Sequence, residues 1–189
     1  SMQGILVHSL AAALAAAALS APAAGDGPHR RLVIGGECQG CDFSGANLAG
    51  AHITDGDFSG TNFASAQLLG ARMADIRIDA GDFSEAAMAE TRIRDVSLNG
   101  AIFVRADLRG AEVRGTTLSS ADFSRADLGE STFSGVDLSG ATLHRARASD
   151  ARLHDVRLGA GVLRDADFSR AHLSRTDLTS ADARDVSFR

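Results

Sequence analysis

The chain has 189 residues, a formal net charge of −5, and no Trp, Tyr or Lys. Its length suits one domain with a hydrophobic core and is short for two ordinary domains. The positive charge comes from Arg alone and forms no extended basic run, which excludes the charge pattern typical of a nucleic-acid-binding protein. The two Cys are too few for a disulfide-rich scaffold.

The first segment, residues 1–24, predicts a secretory signal peptide. It is rich in Ala and Leu, and residues 21–23 (Ala-Pro-Ala) form a small-residue cleavage site. The apolar run is short and dominated by Ala, which disfavours a transmembrane anchor. The segment lacks Lys and Arg, and Leu6, Leu10 and Leu14 fall on one helical stripe, so an N-terminal capping helix is the alternative. A signal peptide predicts a periplasmic or extracellular protein, whereas retention of the segment predicts a cytoplasmic one.

Residues 25–40 are a lead-in, in which Val33 and Cys38 already share the phase of the repeats that follow. Cys38 and Cys41 form a C-x-x-C motif. A zinc site needs further ligands, and a thioredoxin-like redox pair needs a βαβ unit; neither is present in the sequence. Both Cys fall at inward positions, which favours buried structural thiols. A structural disulfide is the alternative in an exported protein.

An apolar residue recurs at every fifth position from Phe43 to Phe188 without a change of phase. Only Ala148 and Ala183 are small among these centres. A small or β-branched residue lies two positions before each centre, with a mostly polar residue between them. This in-out-in alternation is typical of a short strand, and the Ser, Gly, Arg and Asp that follow each centre favour a turn. A helix would need a period near 3.6 residues, so the pattern predicts short strands joined by corners.

The repeats resemble those of the pentapeptide-repeat family, whose repeat reads A-(D/N)-L-x-x. Residues 46–50 (Ala-Asn-Leu-Ala-Gly), 106–110 and 126–130 match this pattern closely, and the likeness covers 41–189. The resemblance implies an all-β fold, a right-handed quadrilateral β-helix with four repeats per coil. The array would then form about seven and a half coils.

The spacing of five phenylalanines independently supports four repeats per coil. They recur at every fourth repeat, at Phe43, Phe63, Phe83, Phe103 and Phe123. With four repeats per coil, these side chains stack as one aromatic core column, and stacking adds stability beyond the burial of area. At roughly 4.8 Å between stacked strands, the rod would be on the order of 36 Å long.

The outward positions predict two opposite faces of different charge. One column runs in steps of four repeats from Asp42 to Asp182 and is mainly acidic, and the column two faces away contains three Arg. We expect each of these Arg to form a weak surface ion pair with an Asp three residues later. The expected pairs are Arg72 with Asp75, Arg92 with Asp95, and Arg152 with Asp155.

The C-terminal end predicts an interface. The sequence stops within a repeat, at Phe188 and Arg189. An uncovered strand edge invites the addition of another strand. We therefore expect this end to mediate end-to-end homodimerisation.

No catalytic, cofactor or metal site is expected. The six His are dispersed: His144 and His154 fall on opposite sides, and His52 and His172 share a face but lie far apart along the rod. The regular surface and the signal-like start predict a non-catalytic, exported scaffold that binds an unknown protein partner. Direct nucleic-acid binding and a membrane span in the mature chain are not expected.

The resemblance implies an alternative function. Some family members are cytosolic DNA mimics that bind DNA gyrase and are linked to quinolone resistance. Those relatives are acidic rods, often with extruded loops and a C-terminal dimerisation helix. This array has no loops and contains abundant Arg, which disfavours the alternative.

Overall fold

Backbone hydrogen bonds in this protein join residues that lie one coil apart. The N–H of Phe43 donates to the carbonyl of Asn62 at 2.7 Å, and the N–H of Asn62 donates to the carbonyl of Cys41 at 2.8 Å. Parallel bridges such as Asp42 with Asn62 recur along the array at this same interval of four repeats. The chain is therefore a parallel solenoid in which each coil contacts the coils above and below it.

The computed structural model describes residues 3–6 and 32–189. Their strands form one parallel sheet in chain order, without a helix in these ranges. The solenoid has about 7 turns, and the predicted all-β quadrilateral β-helix is confirmed. The strands are β1 (Gln3–Leu6), β2 (Leu32–Gly35), β3 (His52–Asp57), β4 (Arg72–Arg77), β5 (Arg92–Arg94), β6 (Glu112–Arg114), β7 (Thr132–Asp137), β8 (Arg152–Arg157) and β9 (His172–Ser174).

Strand β1 lies within the segment 1–24 and pairs in parallel with β2, with Gly4 opposite Val33. The other residues of 1–24, and the lead-in up to residue 31, lie outside the described residues. The signal peptide and the capping helix therefore both stay predictions.

We number the four faces of the rod by the residues at their centres. The first face has Phe43 at its centre, the second Leu48, the third Ile53 and the fourth Phe58, and each series continues at every fourth repeat. A corner follows each face and takes the number of that face. The centre and the residue two positions before it are buried, while the residue between them is more exposed. This alternation gives each face one inward row and one outward column.

The aromatic column lies inside the first face. The rings of Phe43, Phe63, Phe83, Phe103 and Phe123 are at most 1 % exposed. Successive rings stack with centroids 4.6–5.4 Å apart and interplanar angles of 2–9°. The ring spacing follows the coil spacing, so the aromatic contacts and the backbone hydrogen bonds favour the same register.

The side chains that fill the core become smaller where this column ends, in the coil that contains Leu143 and Ala148. Phe133 in the preceding coil and Phe168 in the following coil are both buried beside this gap. An apolar cavity of about 10 Å³ remains between these side chains. A cavity of that size and polarity does not hold a stable water molecule. Large side chains in neighbouring coils therefore compensate for the small Ala148.

Each corner turns through a residue with positive φ, two positions after the centre. Examples are Gly45 (65°), Glu85 (57°) and Arg125 (59°). In the coils before the last, the first, second and fourth corners close with a hydrogen bond, as from the N–H of Ala46 to the carbonyl of Phe43 at 3.1 Å, which defines a type II turn. At four of the third corners the strands β3, β4, β7 and β8 continue through the corner.

The lead-in coil is one residue shorter than the coils that follow it. Val33 pairs with His52 and Ile34 pairs with Ile53, which are one residue closer along the chain than later partners such as Ile53 and Met73. Ile34 is therefore the buried residue, at 1 % exposure, and Val33 is only half-buried. The expectation that Val33 shares the phase of the repeats is wrong, whereas the buried Cys38 does share it.

Two glycines, Gly36 and Gly56, allow the backbone to accommodate this change of register. The N–H of Gly36 donates to the carbonyl of Asp55 at 2.8 Å, which restores the regular pairing between coils, and Gly36 has a φ of 101°. Thr54 and Asp55 both lie opposite Gly35, as in a β-bulge. The backbones approach so closely that a Cβ on Gly56 would overlap the carbonyl oxygen of Gly36.

The substitution Gly56→Ala should lower the free energy of unfolding by about 3 kcal/mol, because the two backbones must move apart. Gly70→Ala is the matched control. Gly70 has a φ of 64° with no atom within 4 Å of an added Cβ, and Ala80 already adopts this conformation at an equivalent corner. That variant should lose only about 1–2 kcal/mol, the strain of a left-handed residue. Urea unfolding of both variants measures the difference, and equal losses would contradict the bulge.

Truncation of the aromatic column should be costly. Phe103→Ala removes a ring that stacks on both Phe83 and Phe123, so the free energy of unfolding should fall by about 3–5 kcal/mol. Leu69→Ala is the control, because Leu69 is 53 % exposed and its loss should change stability by at most about 0.5 kcal/mol. Thermal and urea unfolding followed by circular dichroism test this ranking. Similar losses for both variants would be inconsistent with a core role for the column.

Candidate functional site

The outer surface of the rod consists of stacked columns, and opposite columns differ in charge. Parallel bridges join the outward residues of the first face from Asp42 to Asp182, including Asp82 and Asp122. On the third face, strand pairing stacks seven outward residues. They are His52, Arg72, Arg92, Glu112, Thr132, Arg152 and His172. The first face is therefore acidic and the third mainly basic, as the sequence predicts.

Most outward Asp and Asn have a structural task at the corner that follows them. The N–H of Ser44 donates to Asp42 Oδ1 at 2.9 Å, and the N–H of Ala64 donates to Asn62 Oδ1 at 2.9 Å. The N–H of the first residue in such a corner, as in Ser44 and Ala64, has no backbone acceptor in the neighbouring coils. An outward Asp or Asn supplies that acceptor, which explains the A-(D/N)-L pattern physically.

Part of the fourth face, where Ser97 and Thr117 point outward, meets the same need across coils. Its outward Ser97 provides no carboxylate, and the N–H of Asn99 donates instead to Asp79 Oδ1 in the preceding coil at 2.9 Å. The N–H of Ser119 then donates to Asn99 Oδ1 at 3.0 Å. The hydroxyl of Ser97 also donates to Asp79, at 2.6 Å. Side chains on this face thus form a ladder parallel to that of the backbone.

These hydrogen bonds lower the pKa of the aspartates that accept them. The hydroxyl and the backbone N–H of Ser44 hold the pKa of Asp42 below its ordinary value of 3.8. The side chain of Arg184 lowers the pKa of Asp182 to about 2, chiefly by hydrogen bonding. Asp42 and Asp182 therefore stay fully ionised at neutral pH.

The predicted ion pairs are wrong. Asp95 pairs with the adjacent Arg94 at 3.5 Å, and Asp155 pairs with Arg175 of the next coil at 2.8 Å. These Asp lie at corners, so their nearest partners are other corner residues rather than mid-face Arg such as Arg152. Arg72, Arg92 and Arg152 have no ion pair within the described chain. These three guanidinium groups of the third face are therefore available to a partner.

The two cysteines form a disulfide at the fourth corner of the lead-in coil. Cys38 and Cys41 are 2 % and 3 % exposed, with their Cα atoms 5.4 Å apart. The N–H of Cys41 also donates to the carbonyl of Cys38 at 3.3 Å, and the hydroxyl of Thr61 donates to the same carbonyl at 2.7 Å. The disulfide thus closes a corner that hydrogen bonds already hold.

Comparison with known protein families matches this chain to pentapeptide repeats, in eight copies, over residues 41–77, 82–120, 121–159 and 151–189. The chain belongs to the pentapeptide-repeat family. Comparison with curated proteins gives no match.

The chain is similar to solved structures of other proteins. HetL, which is involved in heterocyst differentiation regulation in the cyanobacterium Nostoc sp. strain PCC 7120, is 22% identical, with 84% of this chain and 78% of that chain covered and a TM-score of 0.45. Full-length QnrB1, a plasmid-mediated fluoroquinolone resistance protein, is 23% identical, with 80% and 83% covered and a TM-score of 0.47. A protein from the Arabidopsis thaliana thylakoid lumen is 24% identical, with 74% and 69% covered and a TM-score of 0.24.

The described residues of this pentapeptide-repeat protein contain no group of three His, Cys, Asp or Glu side chains placed to hold a metal ion. The ring nitrogen Nδ1 of His144 lies 3.1 Å from the carbonyl of Arg164, and that of His154 lies 2.8 Å from the hydroxyl of Ser174. Each of these His therefore contacts the neighbouring coil. Within the ranges that the structure describes, no helix is long and apolar enough to cross a membrane.

The last described coil exposes the ring of Phe188, at 55 %. On its inner side this ring lies 5.9 Å from the ring of Phe168. The carbonyl of Arg189 accepts the N–H of Arg170 at 3.0 Å, so the final residue still belongs to the ladder. The expected end-to-end dimer through Phe188 and Arg189 stays a prediction.

The lowered pKa values predict that acid destabilises this pentapeptide-repeat protein. Folding favours the ionised Asp, so their contribution is complete above the ordinary value of 3.8 and is lost as the pH falls towards the folded value, about 2 for Asp182. The free energy of unfolding should therefore fall between about pH 4 and pH 2. In the double variant Asp42→Asn/Asp177→Asn, the amide oxygens still accept the corner hydrogen bonds, as Asn62 does, but the side chains do not titrate. The free energy of unfolding of this variant should therefore fall less on acidification than that of the parent chain. Urea unfolding at pH 7, 4 and 2 measures both proteins, and identical acid losses would count against this account.

Proposed function

We propose that this chain is a non-catalytic, exported scaffold that binds another protein through the basic column of its third face. Pentapeptide-repeat proteins are generally non-enzymatic structural scaffolds. The observation that carries the proposal is the set of Arg72, Arg92 and Arg152, which stack in one outward column and have no ion pair within the described chain. Arg without an internal partner binds carboxylates in a bidentate manner, so the partner presents an acidic surface.

The contrast between faces supports this choice. On the first face, Asp42, Asp82 and Asp122 already accept hydrogen bonds from their own corners. Their charges are therefore partly committed to the fold. The guanidinium groups of the third face have no such task, and charge complementarity would steer an acidic partner to them.

Export is supported by two features of the N-terminal part. The segment 1–24 has the composition of a signal peptide. Cys38 and Cys41 form a disulfide, a bond that persists in oxidising compartments such as the periplasm or the extracellular space. The proposed location is therefore periplasmic or extracellular.

Export and partner binding can be tested in one host. The full chain, expressed in a bacterial host with a C-terminal tag, should appear in the periplasmic or extracellular fraction, start after residue 23 or 24, and resist thiol labelling.

A photo-crosslinking amino acid at Arg92 should capture a protein partner, and the variant Arg72→Gln/Arg152→Gln should reduce that capture. The matched control is the same probe at Asp82 with Asp42→Asn/Asp122→Asn. Equal capture from both faces would refute the choice of the third face, and a mature N-terminus at Met2 with reactive thiols would refute export.

A gyrase-binding DNA mimic is the second candidate, and the acidic column of the first face favours it. This function requires a cytoplasmic protein, which the same fractionation detects. It also requires an effect on DNA supercoiling by gyrase, with or without a quinolone. The proposed scaffold leaves that reaction unchanged at micromolar concentration.

A further inference from the structure

The first corner, which borders the second face, carries an unusual order of charges along the rod. In the column at the first corner, the four coils that follow Arg105 place two positive and then two negative side chains, all exposed and without ion pairs in the described chain. They are Arg125, Arg145, Asp165 and Asp185. The fold does not require these residues, because Gly45 occupies the same position in the first coil. Like charges one coil apart repel each other, so this column carries an electrostatic cost within the monomer.

The order plus-plus-minus-minus is complementary to itself when it is reversed. A two-fold axis perpendicular to the rod, placed between the coils of Arg145 and Asp165, reverses the direction of a second copy. Arg125 then lies opposite Asp185 of the second copy, and Arg145 lies opposite its Asp165. Both copies have the same coil spacing, so all four contacts come into register together.

The rest of the second face obeys the same symmetry. In the outward column, Arg147 comes opposite Asp167 of the second copy. At the second corner, Asp150 comes opposite Arg170 of the second copy. Within one chain, Asp150 already pairs with Arg170 at 3.1 Å. Asp127 comes opposite the neutral Ser187, so no like charges meet in these three columns. On the first face, by contrast, the same operation brings Asp122 against Asp182.

The shape of the second face also permits close approach. The first position of its second corner is small in three of the four coils, at Gly129, Ser149 and Ser169, and is Arg189 in the last. The buried residue that precedes each outward residue of this face is Ala, from Ala46 through Ala166. Two such flat faces can approach each other without loops between them.

We propose that the second face binds a second copy of this chain in an antiparallel, two-fold symmetric dimer, side by side. The matching region spans four coils, which is about 19 Å at roughly 4.8 Å per coil. So small a contact falls at the weak end of specific interfaces, and its charges fix orientation more than affinity. The dimer is therefore weak, reversible and sensitive to salt.

Symmetry gives this dimer a distinctive surface. The two-fold axis lies in the contact plane and perpendicular to both rods, so it is parallel to the line that joins the first and third faces. Rotation about it leaves that direction unchanged. The two basic third faces therefore point to one side of the dimer, and the two acidic first faces point to the other.

Charge reversal tests the proposal on the full chain. Arg125→Glu/Arg145→Glu makes the four matched positions uniformly negative, and Asp165→Arg/Asp185→Arg makes them uniformly positive. Glu and Arg already occupy equivalent corner positions at Glu130 and Arg170, so both variants should fold, which circular dichroism checks. Each variant alone should dimerise at least about tenfold more weakly than the parent chain, whereas an equimolar mixture should form a heterodimer.

Sedimentation velocity at about 0.01 M ionic strength, where the Debye length is about 30 Å, provides the measurement. The parent dimer should dissociate as the ionic strength is raised, and Phe188→Ser should leave it intact, which separates this contact from an end-to-end dimer. A monomeric parent chain at low salt overturns the proposal, as does a mixture of the two variants that stays monomeric. Loss of association in the Arg variants alone would assign the arginines to an anionic ligand instead. The third-face arginines are unchanged throughout, so this outcome is independent of the proposed scaffold function.

Discussion

The parallel hydrogen-bond ladder between coils is the constraint on which the whole structure depends. Each N–H and carbonyl of a strand finds its partner one coil away, as in the pair of bonds that link Phe43, Asn62 and Cys41. A coil with an extra residue would leave polar backbone groups unpaired in a structure that has no alternative for them. The strict five-residue period of the sequence follows from this requirement. The shorter lead-in coil is tolerated because Gly35, Gly36 and Gly56 let the two backbones approach each other closely.

The sequence predicts the features that follow from this period. Once a coil is taken as four repeats, the partners of Phe103 above and below are known, and so are the columns of the first and third faces. The period cannot predict a place where it fails. Val33 fits the repeat by counting, yet Ile34 is buried, because two residues of the next coil lie opposite Gly35.

The ion pairs show a second limit of sequence reasoning. Neighbours along the chain suggest a partner for Asp155 at Arg152, but its partner is Arg175, one full coil away and at the same corner. In a solenoid, the residue one coil away is as near as a local neighbour and points in the same direction. The sequence leaves open whether Cys38 and Cys41 are thiols or a disulfide, because burial is compatible with either redox state.

The axial direction of the hydrogen bonds has a mechanical consequence. The bonds between coils, such as the one from Asp82 to Thr61, lie along the rod. A pulling force applied at the two ends would therefore load them one coil at a time, as in a zipper, and not all together, as in strands sheared lengthwise. Such a rod resists bending and compression but peels open under tension, and each lost coil releases the slack of four repeats. A scaffold of this kind is suited to holding partners apart rather than to bearing load between them.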